Sequence, residues 1–309
     1  MDYWPNGLEY INEYKYFDIG NIEIGNIIDK GNIPVYKGVM NGKDIAIKEY
    51  TVDDEEYLYL DDSIITELRI GIKADSKRLL KIYGYSHSKD KMKYYLLMEY
   101  INKGSIFNYI NDYFVQYKGQ ETNEKPVSNY NLISGQSVWN YTMSEKQKYS
   151  ISISIIKSII SMYRNNIIHG DLKSANLVVH KEDDNNIYVK VIDYGTCYHV
   201  DDRDKNIKLD RVIGTSGFYS PEQEDDILNH KSDIYSIGVT IIEVWVGNVF
   251  MKDSDKFNEA RNEVLKSLRI IKQNNKELEK ILRKSIDLNY KKRPNIYQLY
   301  DMFIGLDVK

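Results

Sequence analysis

The sequence predicts an α+β protein in two parts, a small sheet-rich part followed by a larger helical part. Up to about residue 110 the chain reads as short β-rich segments around one helical segment, and after Gly104 the pattern becomes helical. At 309 residues the chain is also long for one hydrophobic core and suits two lobes. A sheet-rich lobe before a helical one is an α+β arrangement, and the boundary is expected near Tyr100–Gly104.

The first part is expected to form a small sheet with a helix packed on it. Asn41-Gly42 is a strong signal for a two-residue hairpin, because both residues tolerate the positive φ angles of that turn. The strands on either side of this turn are therefore expected to pair. The elements expected in chain order are strands at Ile22–Ile28, Pro34–Val39 and Asp44–Tyr50, a helix at Ser63–Lys73, and strands at Leu79–Tyr85 and Tyr94–Tyr100.

The second part is expected to be mainly helical. Ser144 and Gln147 have the spacing of a capping box, which predicts a long helix that ends near Asn165. The polar residues 118–142 predict an inserted surface loop before that helix. The other elements expected are a short helix at Ser105–Tyr113, strands at Leu177–Val179 and Val189–Ile192, and helices from about Ser232 onwards.

Composition and charge narrow the classes of partner. The net charge is −4 and no basic stripe with interleaved aromatic residues occurs, so no nucleic acid partner is expected. The longest apolar-leaning stretch, Ile151–Met162, is broken by Ser and Lys, so no membrane span is expected. Cys197 is the only cysteine, and the N-terminal residues lack the pattern of a signal peptide. We therefore expect a cytoplasmic protein.

The strongest chemical signal lies at residues 169–176, which read HGDLKSAN. This block resembles the catalytic loop of protein kinases, H-R-D-L-x-x-x-N. Seventeen residues after Asn176, behind an apolar strand, Asp193-Tyr194-Gly195 resembles the metal-binding D-F-G of the same family, with Tyr for Phe. Taken alone, the first block could be a polar loop and the second a turn. Their order and spacing favour the kinase interpretation.

The resemblance implies a role for each polar residue of these blocks. Asp171 would orient the hydroxyl group of a protein substrate and accept its proton, and Lys173 would meet the γ-phosphate of ATP. Asn176, through its amide oxygen, and Asp193, through its carboxylate, would bind a magnesium ion that bridges the β- and γ-phosphates. ATP and Mg²⁺ are therefore the expected cofactors.

Residues 45–48, which read IAIK, resemble the strand that carries the ATP-binding lysine of kinases. Lys48 would hold the α- and β-phosphates and would pair with Glu67 of the following helix. An A-x-K sequence at a strand end is often only a solvated lysine. The order strand, lysine, helix, glutamate favours the family role.

Residues 98–105, which read MEYINKGS, resemble the hinge that binds adenine in kinases. Main-chain groups from Glu99 to Ile101 would hydrogen-bond adenine, and Met98 would be the gatekeeper. The residues that would sandwich the adenine ring are Val35, Ala46 and Val178. All three could also serve as ordinary core residues.

Two further matches imply structural roles. Residues 214–222, GTSGFYSPE, resemble the end of a kinase activation segment, in which Glu222 would be buried against Arg293. Asp233 matches the acid that anchors the main chain of the catalytic loop.

The resemblance covers residues 22 to about 305 and implies a two-lobed protein kinase fold. The N-lobe is expected at 22–100 and the C-lobe at 105–305, after an extension at 1–21. D-L-K-x-x-N resembles the serine/threonine form of the catalytic loop, whereas MEYINKGSI and SDIYSIGVTIIEVW are most similar to the tyrosine-kinase-like group. Within that group, VYKGVMNGKDIAIK, LLKIYGY and GFYSPEQ are similar to the kinase-like domain of mixed-lineage kinase domain-like proteins.

The glycine-rich loop departs from the family pattern. Its glycine positions are occupied by Ile28, Lys30 and Ile33, and only Gly31 lies nearby. Side chains at these positions obstruct the approach of main-chain amides to phosphates. We therefore expect weakened nucleotide binding or an altered loop path.

Two other departures concern single glycines. Gly170 replaces the arginine that pairs with a phosphorylated activation segment in the family, so activity is not expected to depend on that phosphorylation. Gly71 lies one helical turn after Glu67, where a packing residue is usual. The helix is therefore expected to be mobile, which would loosen the pairing of Lys48 with Glu67.

The motifs support an active serine/threonine kinase as the first hypothesis and a pseudokinase binding module as the second. About twenty residues precede the first expected strand, which leaves no room for the helical bundle of the cell-killing mixed-lineage-like proteins. A copy without the bundle would act as a decoy that sequesters a receptor-interacting kinase partner in cell-death signalling. The abundant Tyr, Ile, Asn and Lys have AT-rich codons, in keeping with a viral copy that acts in the host cytoplasm.

Overall fold

The computed structural model divides the chain into two compact units, Met1–Asn102 with Ile192–Cys197 and Lys103–Val191 with Tyr198–Lys309. It describes residues 13–31, 33–51, 57–74, 76–88, 92–116, 131–134, 137–181, 187–202, 205–247 and 257–306. The first unit is rich in sheet and the second in helix, which confirms the predicted α+β class.

The first unit is built on a five-stranded antiparallel sheet with the strand order β1-β2-β3-β5-β4. Its elements are β1 (Glu23–Asp29), β2 (Val35–Met40), β3 (Lys43–Thr51), α1 (Tyr57–Lys73), β4 (Ile82–His87) and β5 (Lys93–Glu99). Asn41 and Gly42, with φ angles of 51° and 71°, close the hairpin between β2 and β3, as the sequence predicts.

Alternation along β3 places its side chains on two opposite faces of the sheet, both of which are buried at its centre. Ile45 and Ile47 are buried in a cluster with Leu97 of β5. Because successive side chains of a strand point to opposite faces, Ala46 and Lys48 lie on the other side. The register places Ala46 opposite Met98 and Lys48 opposite Leu96.

A segment before residue 22 belongs to this sheet. The main-chain N–H of Phe17 donates to the carbonyl of Tyr85 at 2.9 Å, and the N–H of Tyr85 donates to the carbonyl of Lys15 at 3.0 Å. Phe17 and Ile19 also pack against the core cluster. The sheet-rich unit therefore begins before the boundary expected at residue 22.

The second unit has seven helices and nine short strands within its described residues. They are α2 (Ile106–Asn111), β6 (Phe114–Gln116), β7 (Asn131–Ser134), β8 (Ser137–Tyr141), α3 (Glu145–Arg164), β9 (Ile167–Ile168), β10 (Leu177–Lys181), β11 (Ile187–Val191), β12 (Tyr198–His199), β13 (Ile207–Lys208), α4 (Pro221–Glu224), β14 (Ile227–Leu228), α5 (His230–Val246), α6 (Phe257–Asn274), α7 (Lys276–Ser285) and α8 (Ile296–Ile304). The strands pair as β10 with β11, β9 with β12, β13 with β14, and β6-β8-β7.

Helices α3 and α5 form the centre of this unit. The capping box predicted at Ser144 and Gln147 is confirmed, and it starts the 20-residue helix α3. Helix α5 is buried along almost its whole length, as expected for a helix that other elements surround. Among the described residues, no helix combines the length and hydrophobicity that a membrane span requires.

The prediction of a surface loop over residues 118–142 is wrong for the part that the structure describes. Strands β7 and β8 pair with each other, and β8 also pairs with β6. The many polar residues of the segment obscured two short β-forming runs, NLIS and SVWNY. Tyr141 fixes the end of β8, because its hydroxyl donates to the carbonyl of Val244 in α5 at 2.7 Å. Residues 117–130 lie outside the described residues.

Candidate active site

Two carboxylate side chains of the first unit meet at Lys48. Its ammonium nitrogen lies 2.5 Å from Glu67 Oε1 and 2.8 Å from Asp193 Oδ1. Lys48 and Glu67 are buried, whereas the side chain of Asp193 is 42% exposed. The structure therefore forms the expected Lys48–Glu67 pair and adds Asp193 to it.

Close packing of α1 explains why these groups meet. Asp193 has a left-handed φ of 65° and leads into a 3₁₀ turn at Tyr194–Thr196. A side chain at Gly195 could not fit, because its Cβ would lie 2.2 Å from Oγ of Ser63 in α1. A strained, non-glycine residue such as Asp193 is typical of functional sites.

Gly71 has a packing role that the sequence did not reveal. A Cβ at this position would lie 2.4 Å from Cγ1 of Ile82, so the glycine lets α1 approach β4 closely. The prediction that Gly71 loosens the helix is therefore not supported, because Ile82 fills the space. The ion pair between Lys48 and Glu67 is intact.

Burial and mutual attraction govern the electrostatics of this cluster. Burial by itself lowers the pKa of Lys48, but Glu67, Tyr50 and Asp193 outweigh it and hold that pKa well above its ordinary value. Burial raises the pKa of Glu67, and the Lys48 ammonium opposes this shift. Lys48 thus stays cationic at neutral pH, as phosphate binding requires.

Tyr194 supplies a contact that phenylalanine could not make. The side chain is buried, and its hydroxyl donates to the carbonyl of Leu80 at 3.2 Å. Leu80 lies between α1 and β4. The hydrogen bond therefore connects the turn that follows Asp193 to the segment between these two elements of the first unit. The sequence shows Tyr in place of Phe at this position but has no local pattern that predicts this hydrogen bond.

The residues expected around adenine are distributed over both units. In the first unit, Ala46 and Met98 are buried partners across β3 and β5, and Val35 is half-buried on β2. The main-chain N–H of Glu99 donates to the carbonyl of Lys81 at 3.0 Å, and Ile101 follows β5. The remaining member of the set, in the second unit, is Val178 on β10.

The connection between β1 and β2 shows what replaces the glycines. Ile28 is 44% exposed on β1, and Lys30 and Ile33 are also accessible to solvent. The N–H of Gly31 donates to the carboxylate of Asp29 at 2.9 Å. The Gly31 amide, which could face a phosphate, is thus bonded to the Asp29 carboxylate. The negative charge of that carboxylate would repel a phosphate.

In the second unit, Asp171 lies at the centre of a hydrogen-bonded group. Its carboxylate accepts hydrogen bonds from the hydroxyl of Thr215 at 2.7 Å and from the ammonium of Lys173 at 2.8 Å. Lys173 also donates to the Thr215 hydroxyl at 2.6 Å. The amide nitrogen of Asn176 donates to the main-chain carbonyl of Asp171 at 2.8 Å.

Thr215 is a site residue that the sequence analysis missed. It lies in the GTSGFYSPE segment, to which only structural roles were given. The signal that could have revealed it is the combination of D-L-K with a threonine early in that segment. Its hydroxyl accepts a hydrogen bond from Lys173 and donates one to Asp171, so it helps to fix the position of the Asp171 carboxylate.

Asp233 of α5 holds the loop that carries Asp171. Its carboxylate accepts the main-chain N–H groups of His169 at 2.8 Å and of Gly170 at 3.1 Å. Burial raises the pKa of Asp233, whereas the charge and N–H of His169 oppose this shift. The anchoring role predicted for Asp233 is confirmed by these contacts.

The pair predicted between Glu222 and Arg293 is also confirmed. Two guanidinium nitrogens of Arg293 donate to the two carboxylate oxygens of Glu222, at 2.7 and 2.8 Å. Both residues are buried, and such bidentate geometry compensates for removing two charges from water. The pair fixes α4 and the end of the segment that contains Thr215.

The oxygen donors agree with the chemistry of magnesium. Magnesium is usually held by one or two protein oxygens together with phosphate oxygens and water. Asp193 has a partly exposed carboxylate. The amide nitrogen of Asn176 donates to Asp171, so the amide oxygen is the atom of this side chain that could bind a metal ion. Among the described residues, no cluster of three or more His, Cys, Asp or Glu forms a metal site of another kind.

The first unit has a buried cation at Lys48, and the second unit has a carboxylate held in position at Asp171. A lysine held between two carboxylates suits the binding of a polyphosphate. An aspartate held by a lysine and a threonine suits the orientation of a hydroxyl group and the acceptance of its proton.

Comparison with known proteins identifies the family. The protein kinase domain family matches residues 24–303. The chain is 26% identical over 230 residues to a serine/threonine-protein kinase-like protein of Arabidopsis thaliana, covering 74% of this chain and 56% of that protein. It is 27% identical over 241 residues to cysteine-rich receptor-like protein kinase 7 of Arabidopsis thaliana, covering 74% of this chain and 31% of that one. The chain thus spans about half or less of the length of these relatives, and it belongs to the protein kinase family.

Proposed function

We propose that this protein is a serine/threonine kinase that transfers the γ-phosphate of ATP to a hydroxyl group of a protein. The observation that carries the proposal is the hydrogen-bonded group of Asp171, Lys173 and Thr215. A carboxylate held at one oxygen by a hydroxyl and at the other by an ammonium is oriented for a single direction of proton transfer. The names of the relatives, several of which contain "serine/threonine-protein kinase", support the same substrate class.

Each residue has a defined task in this reaction. Asp171 accepts the proton of the substrate hydroxyl as its oxygen forms a bond to the γ-phosphorus. The bond between that phosphorus and the β–γ bridging oxygen breaks, and ADP leaves. Lys173 stabilises the negative charge of the transferring group. When bound, magnesium neutralises the phosphates.

Nucleotide binding falls mainly to the first unit. Lys48 binds the α- and β-phosphates, and Glu67 keeps its ammonium in place. Asp193 and Asn176 would hold the magnesium ion.

Around adenine we propose the main-chain groups of Glu99 and Ile101, and the apolar residues Val35, Ala46, Met98 and Val178. The proposed catalytic domain covers residues 22 to about 305, with the earlier segment at 15–21 packed on its sheet.

Transfer of radioactive phosphate to peptide pools tests the proposal. Pools that contain only Ser, only Thr or only Tyr as acceptors are incubated with wild type and with Asp171→Asn, which keeps the shape but cannot accept the proton. We expect incorporation into the Ser and Thr pools that falls at least about a hundredfold in the variant. Equal incorporation by both proteins would show that the signal is not catalysis by this chain.

One observation favours a second function, that of a binding module without catalysis. The loop between β1 and β2 lacks the family glycines, and Asp29 occupies the Gly31 amide. In this alternative the protein would sequester a kinase partner, such as a receptor-interacting kinase in cell-death signalling, as a viral decoy. It predicts micromolar or tighter binding of a purified partner kinase domain by calorimetry, with Asp171→Asn binding equally well. Absence of binding together with phosphate transfer would exclude it.

A further inference from the structure

The amide side chain of Gln223 joins two functional segments of the second unit. Gln223 lies in α4 and is fully buried. Its amide nitrogen donates to the carbonyl of Gly170 at 2.9 Å and to the carbonyl of Ile213 at 3.0 Å. Both hydrogens of the amide are therefore used, one on the catalytic loop and one on the segment that leads to Thr215.

The oxygen of the same amide secures the side chain from the other end. It accepts the main-chain N–H of Ser220 at 2.8 Å and the Ser220 hydroxyl at 3.0 Å. These bonds form the capping box of α4. Gln223 thus has a single orientation, in which its nitrogen must face the two carbonyls.

The two carbonyls belong to residues next to the catalytic group. Gly170 precedes Asp171, and Ile213 lies two residues before Thr215. The bond between Asp171 and Thr215 therefore depends on the relative position of the two segments that Gln223 connects. A side chain at Gly214 would disturb this connection, because its Cβ would lie 3.1 Å from the Gly170 carbonyl oxygen and 3.2 Å from the Gln223 amide nitrogen.

The catalytic loop has no side chain at position 170 that could take part in such a connection. Gly170 carries no charge to attract a phosphate on the activation segment, and its φ of 79° disfavours a side chain there. The amide of Gln223 instead connects the activation segment to this loop by its hydrogen bond to the Gly170 carbonyl. Because the amide is neutral, this connection does not require phosphorylation of the segment.

We propose that Gln223 is a positioning residue that holds the activation segment on the catalytic loop and so places Thr215 against Asp171. The inference rests on the proposed kinase function. Loss of the amide nitrogen removes the donor from the buried carbonyl of Gly170 and from the half-buried carbonyl of Ile213. The cost in free energy is greatest at Gly170, where burial keeps water from replacing the donor. The segment from Ile207 to Thr215 then moves away from Asp171, and turnover falls while nucleotide binding, which relies on other residues, is kept.

Gln147 provides a matched control. It occupies the same third position of a capping box, with Ser144 as the cap, and its oxygen accepts the N–H and the hydroxyl of that serine. Its amide nitrogen donates to the hydroxyl of Tyr113, far in sequence from the catalytic loop. Substituting Gln147 removes a helix cap of the same kind and leaves the connection made by Gln223 in place.

The test compares Gln223→Met, Gln223→Glu and Gln147→Met with wild type by hydrogen exchange and by steady-state kinetics. Gln223→Glu keeps the oxygen that accepts from Ser220 but loses the NH₂ group that donates to the two carbonyls.

In both Gln223 variants we expect amide exchange in residues 207–217 to accelerate about tenfold or more, with exchange in α3 and α5 unchanged. We expect kcat to fall about tenfold or more, with KM for ATP within about twofold of wild type. Gln147→Met should match wild type in both measurements, and phosphatase treatment of wild type should leave kcat unchanged.

The outcomes separate this inference from the proposed function. If exchange in residues 207–217 stays at the wild-type rate in both Gln223 variants, the inference is wrong whatever the activity. It is also wrong if Gln147→Met has the same effects, or if phosphatase abolishes the activity of wild type. If wild type transfers no phosphate, the proposed function fails, and local exchange alone then decides whether Gln223 holds the segment.

Discussion

At the scale of single residues, the candidate site depends on side chains that orient its charged groups through hydrogen bonds. Thr215 is the clearest case, because its hydroxyl donates to Asp171 and accepts from Lys173. For Thr215→Ala we expect kcat to fall about ten- to a hundredfold, since the Asp171 carboxylate loses the hydroxyl that orients its Oδ1 atom. Thr215→Ser should retain most of the activity because it keeps the hydroxyl. If Ala and Ser variants have equal kcat values, the hydroxyl has no role in orienting Asp171.

Tyr194 allows a second prediction at this scale. Tyr194→Phe removes the hydroxyl that donates to Leu80 and leaves a buried carbonyl unpaired. We expect the free energy of unfolding to fall by about 1–3 kcal/mol, measured by urea denaturation. Tyr149→Phe is a suitable comparison, because Tyr149 also donates to a main-chain carbonyl, that of Phe303, but is less buried. If the free energy of unfolding falls equally in both variants, burial of the Tyr194 hydrogen bond does not increase its contribution to stability.

At the scale of elements, the loop between β1 and β2 is the part that departs most from the family. Replacing Ile28, Lys30 and Ile33 together by glycine restores the family pattern at these positions. We expect KM for ATP to fall several-fold, because main-chain amides can then approach the phosphates without obstruction by side chains. Adding Asp29→Asn should lower it further, since the carboxylate on the Gly31 amide is removed. An unchanged or higher KM would show that the side chains of this loop do not limit nucleotide binding.

The elements also show what the sequence could predict and what it could not. Strands of the first unit and the capped helix α3 were predictable, because they rest on local signals such as Asn41-Gly42 and Ser144 with Gln147. Strands β7 and β8 were not, because they are short and lie within a segment that is mostly polar. The fit of Gly71 against Ile82 and the bonds of Thr215 depend on residues distant in sequence. Such contacts leave no local pattern to read.

At the scale of the whole molecule, buried ionisable groups make stability depend on pH. Glu243 of α5 is fully buried, and burial raises its pKa to about 8, an effect that a hydrogen bond from Ser174 opposes. Between the ordinary pKa of a glutamate and this value, the folded state binds a proton that the unfolded state has released. The contribution of Glu243 is therefore greatest at low pH and is lost as pH rises towards about 8.

Glu243→Gln tests this dependence. The glutamine keeps the size of the side chain but has no proton to lose, so the variant should gain stability relative to wild type as pH rises from 5 to 8. The difference in the free energy of unfolding should grow by up to about 1.4 kcal/mol per pH unit. Asp233 is present in both proteins, so its titration cancels in the difference. A difference that is independent of pH would show that Glu243 does not titrate in this range.

The proposed kinase function requires that the protein binds a nucleotide together with magnesium. The most direct measurement is the change in melting temperature on adding ATP, with and without magnesium, for wild type, Asp193→Asn and Asn176→Ala. We predict a magnesium-dependent stabilisation of wild type that is lost in both variants, because both substitutions remove an oxygen proposed to bind the magnesium ion. Stabilisation that persists in either variant, or no stabilisation of wild type at millimolar ATP, would contradict the account.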